Sequence, residues 1–353
     1  MGRSWSPVLV CFGWLPFIGM MIVLPLMCCK AVNAAQETNV TQALAAWRQR
    51  QATTKSCQYR CHAESSLAEP EVTGAEAPFA PAPPLGAANN TILLRNTVTF
   101  ALSGSRIAYS RQGEHWDWGN HARKTAQTKK VYDGLRYHTS FKGEPLSMVE
   151  VDSGSLAKSM SLVDTEMTPF FLPSRVLVLL EARDYNPTRM IAQQVRVVRN
   201  GHDCVEFSVP GMGWSLCRIC ADPSRDYLPL EWANIQNGVV VFRTSLQYVP
   251  DQDDRWRIST IHSTAFDSSS GAATKTWSYR VTDYSVNVPL GDDVFRIEIP
   301  EGAHVREGTN LLLGGDDGGR DGWKHYVMGR DGVRIPISAE DFGRVGLVTV
   351  DLD

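Results

Sequence analysis

The sequence predicts a mainly β protein of the α+β class, built around an antiparallel sheet. Large apolar residues alternate with polar ones in several runs, as in 242–248 and 277–282. Such strands bury one face and leave the other in water, which is typical of antiparallel sheets. Turn sequences such as Asp133-Gly134 and Asp222-Pro223 separate the runs. Only two segments have helical periodicity, so we expect few helices.

The N-terminus predicts export. Arg3 precedes an uncharged apolar run from Val8 to Cys29, and a small-residue site favours cleavage between Ala34 and Ala35. We therefore expect residues 1–34 to be a signal peptide. The mature chain would be periplasmic or otherwise extracytoplasmic, with no transmembrane span after cleavage.

Two other interpretations of this segment stay open. The apolar run is close to the ~20 residues that span a bilayer, so an uncleaved signal could anchor the chain. Cys28 and Cys29 also suggest a lipoprotein signal, but Met27 stands where such signals require a small residue.

The charge of the mature chain argues against nucleic acid as a partner. The signal contains two of the 35 bases, Arg3 and Lys30, and none of the 38 acids, so 33 bases and 38 acids remain, a net charge of −5. A nucleic-acid-binding surface would need a basic stripe, and the two signs are interspersed here.

Residues 35–66 are predicted to form an N-terminal helix and a first strand. Thr38 to Ala52 places Leu44 and Trp47 on one helical face. Two residues can cap its start, Asn39 and Thr41. The strand is expected over 55–64.

Residues 67–90 are rich in Pro and Ala and predict an extended, flexible insertion. The sheet itself is expected over 91–305. Within it, Pro173 to Arg183 predicts a helix that is apolar almost all round and therefore buried. Strands are predicted at 91–102, 107–111, 194–199, 202–209, 215–221, 239–249, 255–266, 275–287 and 294–299, with another opening at Tyr227. Residues 130–137 are predicted to form a pair of strands joined by a hairpin at Asp133-Gly134.

The chain ends with two short segments. Residues 306–322 are a Gly- and Asp-rich linker. Residues 323–353 predict a C-terminal tail with a hairpin at Arg330-Asp331-Gly332.

Four motifs follow one another along the chain: Trp47 followed by Arg48 and Arg50, Tyr132-Asp133-Gly134, the hairpin from Asp222 to Pro229, and Phe295 to Gly302. These motifs and the order of the predicted elements resemble exported proteins of the LolA/RseB-like superfamily of outer-membrane lipoprotein-sorting proteins, planctomycete members in particular. The match runs over roughly 38–305. The resemblance implies a curved antiparallel half-barrel wrapped over a few helices, whose concave apolar face holds acyl chains without covalent chemistry. The Pro-rich insertion and the cysteines depart from it.

No catalytic constellation is found in the sequence. Gly213-Trp214-Ser215-Leu216-Cys217 lacks the final glycine of a nucleophile elbow. The eight histidines form no His-Glu-x-x-His pair, and Asp316, Asp317 and Asp321 miss the spacing of an EF-hand loop. We therefore predict no enzyme, no cofactor and no metal.

Five cysteines remain after cleavage: Cys57, Cys61, Cys204, Cys217 and Cys220. Cys204 and Cys217 lie on the two arms of one predicted hairpin and are the first candidates for a disulfide. Cys217 and Cys220 have the spacing of a thiol-redox or zinc motif, but a strand points them to opposite faces. Zinc binding by four of the cysteines and buried free thiols are the alternatives.

Aromatic residues suggest where an apolar ligand would bind. The candidates for the groove are Trp116, Trp118, Phe170, Phe171, Trp256 and Trp277. Aromatic stripes at strand spacing also form ordinary core. The predicted function is that of a binding protein for a lipid, a lipoprotein acyl chain or another apolar ligand. The alternatives are an envelope sensor that recognises a protein partner, and an exported thiol-redox protein using Cys217 and Cys220.

Overall fold

The computed structural model describes residues 37–68, 91–117, 120–143, 147–152, 166–199, 201–251, 255–308 and 324–338. The predicted signal peptide, Trp118, and most of the predicted insertion and linker lie outside these residues. No helix in the described ranges is both long enough and apolar enough to cross a membrane.

The described residues form sixteen strands and three α-helices. The strands are β1 (Ser56–Ala68), β2 (Thr91–Ser103), β3 (Arg106–Asp117), β4 (Ala122–Tyr132), β5 (Tyr137–Gly143), β6 (Ser147–Asp152), β7 (Ile191–Arg199), β8 (His202–Pro210), β9 (Ser215–Asp222), β10 (Leu228–Gln236), β11 (Val239–Pro250), β12 (Trp256–Phe266), β13 (Ala273–Val286), β14 (His304–Gly308), β15 (Lys324–Met328) and β16 (Arg334–Pro336). The helices are α1 (37–53), α2 (Thr168–Phe171) and α3 (Val176–Ala182).

All the strands belong to one sheet, in the order β16-β15-β14-β6-β5-β4-β3-β2-β1-β13-β12-β11-β10-β9-β8-β7. β1 to β6 form one antiparallel meander and β7 to β13 a second, and the two meet where β1 pairs with β13. β7 and β16 are the edges, so the sheet is not closed. The predicted fold class, mainly antiparallel β with a few helices, is confirmed.

The sheet curves around its helices. Phe170 of α2 packs on Phe100 of β2, and Trp47 of α1 packs on Phe207 of β8. These side chains belong to one buried cluster, although β2 and β8 are the ends of an eight-strand stretch of the sheet. At about 4.8 Å between neighbouring strands, a flat sheet would hold β2 and β8 more than 30 Å apart. The concave face is therefore wrapped over the helices.

The predicted strand at 294–299 is wrong. Residues Asp292–Phe295 form a 3-10 turn, and the residues after it extend without joining the sheet. The Phe295 ring packs against the outer face of β2 to β4, on Ala101, Ala108 and Val131. The Arg106 guanidinium covers this ring at 4.5 Å from its centroid. The apolar alternation at 294–299 thus reflects packing onto the outer face.

The chain beyond this turn extends the sheet past its first meander. β14 pairs with β6 in parallel and with β15 antiparallel. β15 and β16 pair around the turn that the sequence predicted at Arg330-Asp331-Gly332.

Candidate functional site

A cavity of about 440 Å³ lies between α1, the turn joining β9 to β10, and the ends of β12 and β13. Its floor is apolar and aromatic, with Tyr59, Leu228, Trp256, Tyr284 and Val286. Its rim is charged, with Arg50, Arg225, Asp226 and Arg255. A volume of several hundred Å³, mostly apolar walls and a few polar groups are typical of small-molecule sites.

The β9–β10 turn that forms one wall has the local structure that Asp222-Pro223 predicted. The Asp222 carboxylate accepts a hydrogen bond from Ser224 N at 2.9 Å, and Pro223–Arg225 form a 3-10 turn. Asp226 and Tyr227 follow with φ of +52° and +56°, two successive left-handed residues without a glycine. Each such residue costs about 1–3 kcal/mol, so neighbouring contacts must hold the turn in place.

Helix α1 supplies those contacts. Trp47 Nε1 donates to Tyr227 O at 2.8 Å, and Arg50 Nη2 donates to Asp226 O at 2.6 Å. The Tyr227 hydroxyl lies 3.0 Å from Asn39 Oδ1 and 2.8 Å from Gln42 Oε1 of the same helix and donates its single proton to one of these two oxygens. Because the helix begins before Asn39, that residue binds the turn and does not cap the helix.

Arg225 is held rigidly at the rim. Its guanidinium stacks on the Trp256 ring at 3.9 Å from the centroid, and its Nε lies 3.4 Å from the buried Asp222 carboxylate. Arg225 Nη2 also lies 3.1 Å from His202 Nε2. Arginine can only donate, so His202 Nε2 is the acceptor in this contact. These contacts fix the position of the Trp256 ring in the floor of the cavity.

Arg50 has an unused donor beside the cavity. Its Nη1 is buried and has no hydrogen-bond partner among the described residues. Burial lowers the pKa of Arg50, although Tyr248 and Asp226 favour the charged form. An unsatisfied buried donor costs about 1–3 kcal/mol, more when it is charged. A ligand oxygen next to Arg50 would remove that cost.

A second polar cluster lies on the concave face. Glu166 is 7% exposed at its side chain and accepts hydrogen bonds from Trp277 Nε1 at 3.0 Å and Lys275 Nζ at 3.2 Å. It also accepts from Arg111 and from the Tyr109 hydroxyl. Burial alone would raise the pKa of Glu166, but Arg111, Lys275 and the Trp277 hydrogen bond outweigh it and lower the pKa to about 2. The cluster ties the segment before α2 to β3 and β13.

The predicted groove residues do not come together in one site. Phe170 and Phe171 are fully buried in the core, packed against Phe100. Trp277 is buried with its Nε1 on Glu166. Trp116 covers a small apolar cluster of β1 and β2. Of the described candidates, only Trp256 lines the cavity. The helices therefore fill most of the concave face.

The structure corrects the predicted cysteine pairing. Cys204 and Cys217 are free thiols, and β8 and β9 pair with Val209 opposite Cys217. Residues 204 and 209 point to opposite faces of β8, so the two thiols lie on opposite sides of the sheet. No bond between them is formed.

The thiols are also poorly suited to redox chemistry. Burial raises the pKa of Cys220 to about 12 and holds that of Cys217 well above its usual value. The reactive form of cysteine is the thiolate, which such sites disfavour. Within the described ranges, no three His, Cys, Asp or Glu side chains are grouped so that they could hold a metal ion.

These features define an open antiparallel sheet with a ligand-sized cavity at the ends of β12 and β13. A scan against protein-family models finds no match, and neither does a search of the curated proteins. The chain is similar in structure to an outer membrane lipoprotein-sorting protein domain from Vibrio parahaemolyticus, with 11% identity and a TM-score of 0.43 over 73% of this chain and 97% of that one.

Two further solved structures are similar. A LolA superfamily protein from Nitrosomonas europaea matches with 10% identity and a TM-score of 0.38, over 72% of this chain and 97% of that chain. MucB matches with 9% identity and a TM-score of 0.24, over 74% of this chain and 63% of that chain. At such identities the likeness concerns the fold alone and identifies neither ligand nor partner.

Proposed function

We propose that this protein is an extracytoplasmic, non-catalytic binding protein that holds one apolar chain with a polar end in the cavity under α1. The observation that carries the proposal is the cavity itself, about 440 Å³ with an aromatic floor and with Arg50 among its lining residues. The sequence predicted a binding protein for an apolar ligand, and the proposal adds the site at which that ligand would bind.

The floor supports an apolar chain as ligand. Tyr59 and Tyr284 lie with ring centroids 4.9 Å apart, and Leu228 and Val286 complete the surface. Removing apolar area from water stabilises a complex by roughly 25 cal/mol per Å². Rigid aromatic side chains lose little conformational entropy when a ligand binds, so a large part of this gain is retained.

The rim supports a ligand with an oxygen acceptor at one end. Arg50 lines the cavity and its buried Nη1 has no partner among the described residues, while Arg225 is already paired with Asp222. A carboxylate, ester or phosphate oxygen beside Arg50 would make a hydrogen bond strengthened by charge. Arg50 would thereby set the orientation of the chain in the cavity.

The central concave face is a poorer candidate. Phe170 and Phe171 are 0% and 1% exposed, so a ligand could bind there only if α2 moved. The thiol-redox alternative also has little support, because burial raises the pKa of both Cys217 and Cys220.

Native mass spectrometry of the protein purified gently from the cell envelope tests the proposal. We expect a lipid-sized adduct, and organic extraction should yield a molecule with an apolar chain and an oxygen-bearing head. Ala46 lines the cavity, so Ala46→Phe should fill part of it and remove the adduct. The matched control is Ala45→Phe on the exposed side of the same helix, which should keep it.

A mass without any adduct, after incubation with envelope lipids, would contradict the proposal and favour a protein-partner module. If both variants retained the adduct, the ligand would bind outside this cavity. If the extracted molecule were a pure hydrocarbon, Arg50 would have no ligand oxygen to bind.

A further inference from the structure

The turn between β8 and β9 presents two large apolar side chains to solvent. Trp214 is 86% exposed and Met212 is 72% exposed. Ile191 at the start of β7 is 60% exposed and pairs with Ser208, a short distance along the same hairpin. Elsewhere in the described residues, large exposed apolar side chains occur singly, as at Leu135 and Val288.

Hydrogen bonds hold the backbone that carries these side chains. Gly211 N donates to Ser215 O at 3.0 Å, and the Ser215 hydroxyl donates to Met212 O at 2.6 Å. Asn237 N of the neighbouring turn donates to Trp214 O at 3.2 Å. Gly213 has a φ of +59°, which favours glycine. The two side chains are therefore displayed by a fixed turn, and little entropy is lost when they are covered.

The turn itself is uncharged. Residues 210–215 and the neighbouring turn at 236–240 contain no ionisable side chain. Asn186 N donates to Pro210 O at 2.9 Å, which brings the segment 184–189 beside the hairpin. This segment contains two exposed residues of opposite charge, Asp184 and Arg189. The chemistry of the patch is therefore set by its apolar side chains.

The size and chemistry of the patch favour a lipid surface over a protein. A stable protein interface buries about 800 Å² on each partner, far more than two or three side chains on a turn present. Tryptophan prefers the boundary between lipid headgroups and acyl chains, because its ring is apolar and its N–H remains hydrogen-bonded. Small insertions of this kind suit reversible contact.

We propose that the β8–β9 turn, with Met212 and Trp214 at its tip, inserts into the headgroup region of a phospholipid membrane. This contact is separate from the cavity, because the two lie at opposite ends of the strands. β9 begins next to Trp214 and ends at Asp222 beside the cavity. Its eight residues span about 25 Å. The inserted turn would hold the cavity mouth away from the bilayer.

A fluorescent probe at the tip tests this contact. Met212→Cys and the control Leu135→Cys are labelled with the environment-sensitive dye NBD in the protein as recovered from the envelope. Leu135 is 80% exposed at a turn on the opposite end of the strands. The five described cysteines are at most 2% exposed, and any label elsewhere is common to both variants. The labelled proteins are mixed with vesicles of phosphatidylethanolamine and phosphatidylglycerol.

We expect NBD emission at position 212 to rise and shift to the blue, and spin-labelled lipid to quench it, with no change at position 135. Trp214→Ser in the Met212→Cys protein should weaken vesicle binding about tenfold, as expected for the loss of one buried aromatic side chain. Equal responses at positions 212 and 135 would overturn the proposal. So would a response at 212 to lipid-free envelope proteins and not to vesicles, which would indicate a protein partner.

Discussion

Replacing Glu166 by alanine is expected to lower the free energy of unfolding by about 3–5 kcal/mol. The substitution leaves Arg111 and Lys275 without their shared carboxylate, and Trp277 Nε1 without its acceptor on the buried concave face. Chemical denaturation of the purified variants, followed by circular dichroism, measures the effect.

Glu181→Ala provides the matched control for this experiment. Glu181 is exposed on α3, in the same segment of the chain, and its removal should change the stability by no more than about 0.5 kcal/mol. Equal stabilities of the two variants would show that the Glu166 cluster does not hold the helical segment on the sheet.

Glu166 also makes the free energy of unfolding depend on pH. Its pKa is lowered from 4.5 to about 2 in the folded protein, so the stabilisation by Glu166 is complete above pH 4.5 and is lost as the pH falls towards 2. A shift of this size corresponds to about 3 kcal/mol. The difference in stability between the native sequence and Glu166→Gln should therefore shrink over this interval. A difference that stays constant would mean that Glu166 has an ordinary pKa.

Phe170→Ala is expected to cost about 3–5 kcal/mol of stability, because it opens a cavity in the centre of the fold. The Phe170 ring packs at 5.2 Å from Phe100, 5.5 Å from Tyr279 and 5.8 Å from Tyr59, measured between centroids. Thermal and denaturant unfolding measure the loss. Phe266→Ala, at the partly exposed end of β12, should cost less than half as much. If Phe170→Ala left the stability unchanged but abolished ligand binding, the result would indicate that the ligand binds on the concave face.

Features encoded by neighbouring residues could be predicted from the sequence. The Asp222 carboxylate, Pro223 and the following residues determine a turn within six positions, and the structure contains that turn. The hairpin at Asp133-Gly134 and the helix around Trp47 were predictable for the same reason. The superfamily resemblance added the expectation of a curved, open sheet.

The candidate site could not be predicted in this way, because its contacts are distant in the sequence. Trp47 and Tyr227 are 180 residues apart, and Lys275 meets Glu166 across 109 positions. The sequence offered one signal for Glu166, which is the acidic residue directly before the mainly apolar stretch 167–172. The strand predicted at 294–299 failed because apolar alternation does not distinguish a strand in a sheet from an extended segment packed on it.

Photo-crosslinking with a diazirine-bearing fatty acid, followed by peptide mapping, tests the location of the ligand site most directly. The account predicts crosslinks to the cavity floor, at Trp256, Tyr284 and Val286, which Ala46→Phe suppresses and Ala45→Phe does not. Crosslinks to Phe170, Phe171 or Trp277 would contradict it, because they would show that the helices leave the concave face and that the chain binds there.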